Sequence, residues 1–216
     1  MKILNSTIAL LFVALLWSCG SKTADTDTVD ETPKTTFADG TYTVASGSKL
    51  MWTGAKTLGS SHNGDISLTS GAFTLEGDKI TGGSFVIDMA SINNLDLAED
   101  AESKAKLEGH LKTADFFDTE QFPTATITIT GSEPVEGNTH KVMGDFTLKG
   151  KTNPITFNAT VAPADKGAKI AADFTFDRTL WNVEFNSPKF PAFANLAADN
   201  VISDDIAIKF DLTATK

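Results

Sequence analysis

The chain has 216 residues, 41% hydrophobic and 21% charged, which is enough for one well-filled core and ordinary for a globular protein. Its formal net charge of −10 repels phosphate backbones and anionic membrane surfaces alike, so nucleic acid is excluded as a natural partner and membrane attachment needs a covalent or apolar anchor. Fifteen Phe against one Tyr and three Trp form an aromatic set with few polar handles, suited to a dry interior or an apolar ligand.

The first element concerns export. Lys2 precedes the apolar run ILNSTIALLFVALLW, too short and wrongly flanked for a spanning helix, so residues 1–18 read as a signal peptide. Its end, Leu16-Trp17-Ser18-Cys19, resembles the lipobox of bacterial lipoproteins, with Cys19 as the acylated residue and Trp17 where a small residue is usual. A lone cysteine forms no internal disulfide, and several acyl chains on Cys19 would hold the protein on a membrane where one chain would be marginal. The alternative is a simple signal peptide with a free thiol. Gly20 after the cysteine, by analogy with enteric bacteria, points to the outer membrane, facing periplasm or cell surface. Residues 19–39 then form the acylated Cys and a flexible acidic tether, because a segment rich in Thr, Asp and Ser buries too little to order itself. The folded domain is expected over 40–216.

From Gly40 the pattern has period two. A strand is expected around Lys49–Thr53, and DISLTSGAFTLEGDKITGGSFVIDMASI (65–92) reads as three strands separated by Ser-Gly, Gly-Asp and Gly-Gly turn signals. LAEDAESKAKLEGHLK (97–112) lacks β-branched residues and reads as a short surface helix with Gly109 near its C-terminal end. In FPTATITIT, Ala125, Ile127 and Ile129 face one way and the threonines the other. Val142, Phe146 and Leu148 share a face, as do Ile155, Phe157, Ala159 and Val161, and then Ile170, Phe174 and Phe176. NSPKFPAFANLAADN (186–200), with two prolines, is a long loop before a last strand carrying Ile206, Ile208, Phe210 and Leu212 on one face. Clean alternation with short turns means antiparallel strands, apolar on one side and wet on the other. Eight or nine such strands without connecting helices exclude βαβ units and leave an all-β barrel or sandwich. An eight-stranded barrel has room for side chains or one slender ligand, and the pattern does not separate a filled core from a lined cavity.

Candidate chemistry is sparse. His62, His110 and His140 show none of the close ligand spacings of a zinc site, and no nucleophile elbow, P-loop or dinucleotide fingerprint occurs. No metal, cofactor or catalytic residue is therefore assigned. The ionisable crowd His110, Lys112, Asp115, Asp118 and Glu120 fits either acid–base work or, more economically, capping and solvent exposure. His62, expected at the end of the first long strand, could bind a head group or tie down a turn. Arg178 could grip a phosphate or pair locally with Asp177 or Glu184.

The stretch GHLKTADFFDTEQFPTATITITG (109–131) closely resembles the central motif of the YceI-like family. WTGAKTLGSSHNGDISLTSGAF, GGSFVIDMASINNLDL, MGDFTLKGKTNPITF and FTFDRTLWNVEFNS are similar to further family segments, in the family's order, across about 41–214. The resemblance implies an extended eight-stranded antiparallel lipocalin-like barrel with one short helix, no catalytic residues, and an apolar tunnel along the barrel for a polyisoprenoid or related amphiphile. In that frame Phe116, Phe117 and Phe122 anchor a corner that Pro123 ends, and the charges around them sit at the surface or cap the turn.

Three functions are then in play. The favoured one is a binding module for a long-chain isoprenoid or similar lipid. Its inward residues would be Trp52, Phe85, Ile87, Met89, Ile127 and Ile129, with Phe146, Phe157, Phe174 and Phe176, and His62 or Arg178 would meet the head group. The second is a surface adhesion or scaffold lipoprotein with a filled core. The third is an enzyme using His62 or His110. A homodimer through a strand edge or barrel mouth is compatible with the pattern but not demanded by it.

Overall fold

Alternating Thr and aliphatic residues build almost the whole of the architecture. The computed structural model describes residues 37–45, 47–77 and 79–216. The expected signal peptide, Cys19 and the tether up to residue 36 lie outside the described residues. In chain order the elements are β1 (Gly40–Val44), β2 (Lys49–Ala55), β3 (Ser61–Glu76), β4 (Lys79–Asp88), β5 (Asn93–Asn94), α1 (Ala101–Lys112), β6 (Thr124–Glu136), β7 (Thr139–Leu148), β8 (Lys151–Ala164), β9 (Gly167–Asp177) and β10 (Asp205–Thr215).

Every pairing is antiparallel. The order β2-β3-β4-β6-β7-β8-β9-β10 closes on itself through β10 and β2. β1 pairs with the end of β10 and the second half of β3, while β2 pairs with the start of β10 and the first half of β3. β1 and β2 are thus two pieces of one stave interrupted around residue 45, and the barrel has eight staves, as expected. β5 is a two-residue rung beside Gly64 and Asp65 on β3. Closure pairs most of the strand edges, and among the described residues the exception lies between β8 and β9, whose pairing covers Ala159–Ala164 and Gly167–Ala172.

Two expectations are corrected. The segment 65–92 holds two long strands rather than three. Ser70 and Gly71 lie inside β3 beside a register shift, and Gly82 and Gly83 lie inside β4. Gly83 serves close approach rather than turning: a Cβ there would stand 2.7 Å from the Ala72 carbonyl oxygen. The turn is at Gly77, whose φ of +60° suits glycine. The helix starts four residues later than the composition suggested, because the Asp100 carboxylate caps the Ser103 N–H and sets its first turn at Ala101.

The two ends of the barrel differ. One end carries the tight β3–β4, β6–β7 and β8–β9 turns together with Gly40 and the C-terminus. There Phe73, Ile80, Val142, Val161 and Ala214 are 0% exposed, and Tyr42 stacks on Phe73 with ring centroids 5.6 Å apart. The other end carries the long connections 89–123, with α1, and 178–204, with two of its short 3-10 turns at Pro191–Phe193 and Ala198–Asn200. On this side the β8–β9 ladder stops at Ala159 and Ala172. Beyond it Phe157 stacks on Phe174 at 4.7 Å, and buried Trp181 packs on Phe146 and Phe176 while its indole N–H donates to the Phe146 carbonyl at 2.8 Å.

Candidate functional site

Inward-pointing aliphatic and aromatic side chains of β2, β4, β6, β7, β9 and β10 leave a cavity of about 270 Å³ in the loop-bearing half of the barrel. Its walls are Trp52, Ile87, Ile127, Phe146, Phe174 and Phe176, with Met89 just beyond β4. Lys56, Ser60, His62, His110 and Arg178 are its polar contributors, and all of them come from the loop-bearing end. In place of the tunnel expected along the whole barrel, the structure has a cavity confined to the loop-bearing half. Phe85, Ile129 and Phe157, expected in the lining, are buried at 6%, 4% and 6% exposure, but they belong to the packed interior below the cavity.

His62 sits at the start of β3, opposite Gly54, rather than at the end of a strand. Its Nδ1 lies 2.8 Å from Asp96 Oδ2. The other Asp96 oxygen accepts from the Asn63 N–H at 2.8 Å and the Asn94 side-chain amide at 2.6 Å. Partial burial pushes the Asp96 carboxyl up, but these donors outweigh it and hold the pKa down at about 2. Asp96 is thus a fixed anion that orients the imidazole of His62, which borders the cavity.

Arg178 is only 1% exposed. Its Nε donates to Ser203 O at 2.9 Å, Nη1 to Val183 O at 2.6 Å and Nη2 to Ile202 O at 3.2 Å. The carboxylate beside it is Asp204, at 3.7 Å, and not the expected Asp177 or Glu184. Asp177 instead accepts from Lys189 and Thr179. Burial lowers the Arg178 pKa, and the charges of Asp204 and Asp177 oppose that. With its donors on backbone carbonyls, this guanidinium clamps the two ends of the 178–204 connection and is not free to grip a phosphate.

The charged corner after α1 resolves in the same way. His110 Nε2 meets Asp115 Oδ2 at 3.0 Å, and the ring stands edge-on to Phe116 and Phe185. Lys149 donates to Ala114 O and Asn182 O, which ties the corner to the β9 end. Burial lowers the Lys149 pKa against the pull of Asp118, Glu184 and Asp115. Phe116 and Phe117 line the cavity, whereas Phe122 lies against Gly150, and the Pro123 carbonyl accepts from the Met89 N–H. Among the described residues no three His, Cys, Asp or Glu side chains are grouped to hold a metal.

Sequence reasoning missed Leu107 and Leu111 on α1, and Phe185 and Ile202 in the 178–204 connection, all of which border the cavity. They lie outside the strand alternation, so period two gives them no signal. The leucines of α1 occur at i and i+4, the spacing of one helix face, which is the hint that was available.

A model of the YceI-like domain matches residues 42–214. Protein YceI of Escherichia coli O157:H7 is 27% identical over 160 residues, covering 72% of this chain and 71% of the relative. A UPF0312 protein of Photorhabdus laumondii is 42% identical over 55 residues, 26% of this chain. Among solved structures, a polyisoprenoid binding domain from Saccharophagus degradans implicated in plant cell wall breakdown superposes with a TM-score of 0.56 at 20% identity, covering 79% of this chain and 95% of that one. Burkholderia cenocepacia BcnA superposes with a TM-score of 0.54 at 20% identity, covering 76% and 94%.

Proposed function

Because this chain belongs to the YceI-like family, we propose that it binds a tailed amphiphile, an isoprenoid or similar lipid, in its barrel without catalysing a reaction, at the bacterial cell envelope. One observation carries the reading: a cavity walled by Trp52, Ile87, Ile127, Phe174 and Phe176 with its polar groups gathered at the loop-bearing end. An apolar tail gains about 0.8 kcal/mol for each methylene taken from water, so a chain filling the cavity outweighs a substantial part of the freedom lost on binding. The tail enters first and the head group stays with His62 and His110. The fold shared with the polyisoprenoid binding domain from Saccharophagus degradans supports an isoprenoid as the guest.

The Leu16–Cys19 pattern supports anchoring in an envelope membrane, which for a chain of net charge −10 must come from acylation rather than from surface charge. Cys19→Ala should move the protein from the membrane fraction to the soluble fraction. Binding itself is tested by mass spectrometry of an organic extract of the purified protein. A consistent amphiphile in near-stoichiometric amount is expected. Protein that emerges empty and ignores added prenol would favour the filled scaffold reading instead.

A further inference from the structure

The floor of the cavity is a built stop, and we infer that it limits the buried tail to about ten to twelve carbons. The inference rests on the lipid-binding reading and adds the length class of the ligand. Phe174 forms part of the cavity wall. Phe157 stacks on its inner side with centroids 4.7 Å apart and meets Phe210 edge-on at 6.3 Å. Phe157 and Phe210 are 6% and 7% exposed and border no part of the cavity. Below them Val142 and Val161 are 0% exposed and Ile170 is 1% exposed, so the apolar interior continues as packed side chains.

The depth of the cavity gives the length. Along β2 the lining runs from Leu50 to Ala55 and on to Lys56. The six rises from Leu50 to Lys56, at about 3.3 Å each and tilted by about 40° to the barrel axis, give a depth of about 15 Å. An extended chain advances about 1.3 Å per carbon, from C–C bonds of about 1.5 Å at tetrahedral angles, which makes the depth about twelve carbons. A two- to three-unit isoprenoid or a medium-length alkyl tail matches this span. A longer polyisoprenoid would leave most of its tail outside.

The full-length chain is titrated with primary n-alcohols of 8, 10, 12, 14 and 16 carbons, each below its solubility limit, following tryptophan fluorescence because Trp52 lines the cavity. Affinity should tighten about fourfold per added carbon up to ten to twelve carbons and then stay level. Phe157→Ala should move the break to longer chains by about three carbons, and Phe157→Leu by about one, if the ring is the stop. Wild-type protein that tightens steadily through sixteen carbons overturns the length limit and leaves the lipid-binding reading standing. Absence of binding at every length overturns both.

Discussion

The packed end and the hollow end of this barrel are made from the same strands and nearly the same residue types, yet they do different things. At the packed end, tight turns bring the staves together and Phe73, Ile80, Val142 and Val161 fill the interior completely. At the hollow end, the connections 89–123 and 178–204 lie over the barrel, the β8–β9 ladder ends early, and the interior keeps about 270 Å³ of unfilled space. Stability and binding capacity are thus placed in series along one axis. The packed half secures the closure that lets the other half stay open, since an empty apolar cavity forgoes dispersion contacts that a filled one keeps.

The sharpest way to break that comparison is to cut the same side chain at both ends. Phe73→Ala should cost about 3 to 5 kcal/mol in denaturant unfolding, because Phe73 is wholly buried and stacked on Tyr42. Phe174→Ala should cost about half as much, because one side of Phe174 already faces the cavity. Equal losses would mean that the hollow end is as tightly filled as the other. Next in size is Arg178→Met, expected to cost about 3 kcal/mol by leaving three backbone carbonyls without their donor and Asp204 with Lys189 as its remaining cationic neighbour. Hydrogen exchange should then speed up at residues 183 and 202–204 while the packed end stays protected.

Adding bulk tests the comparison from the other side. Val161→Phe should overpack a site without free space and cost about 1 to 3 kcal/mol. Ile127→Phe should change stability by less than about 1 kcal/mol, because the added ring enters the cavity, but it should abolish retention of a ten-carbon alcohol. The smallest effect concerns acid. The Asp96 pKa falls from an ordinary 3.8 to about 2, so its contribution is complete above pH 4 and is lost as pH falls from there toward 2. Asp96→Asn should remove about 1 to 2 kcal/mol near neutral pH and flatten that part of the acid unfolding curve.

The strands were legible because alternation is a local signal. Every residue assigned inward on β6 to β10, from Ala125 to Leu212, is buried or partly buried in the structure. Glycine misled where it serves packing: Gly71 and Gly83 look like turn formers, but both lie inside strands, and only neighbouring strands reveal the contacts that require them. The depth of the site was not legible at all. Phe157 and Phe174 carry the same pattern and oppose each other across β8 and β9, yet one closes the cavity and the other lines it. That difference depends on strand tilt and stagger, which fix what lies level with what and leave no mark on a single strand. Arg178 shows the same limit in polar form. Its partners Ile202, Ser203 and Asp204 lie more than twenty residues onward, beyond the reach of any local pairing rule.

Where the chain enters the barrel has a practical side. Gly40 pairs with Leu75, and Thr215 with Thr43, so both termini of the domain leave from the closed base. A tag or fusion partner joined at either end of the domain therefore meets the tight turns and leaves the loop-bearing mouth clear.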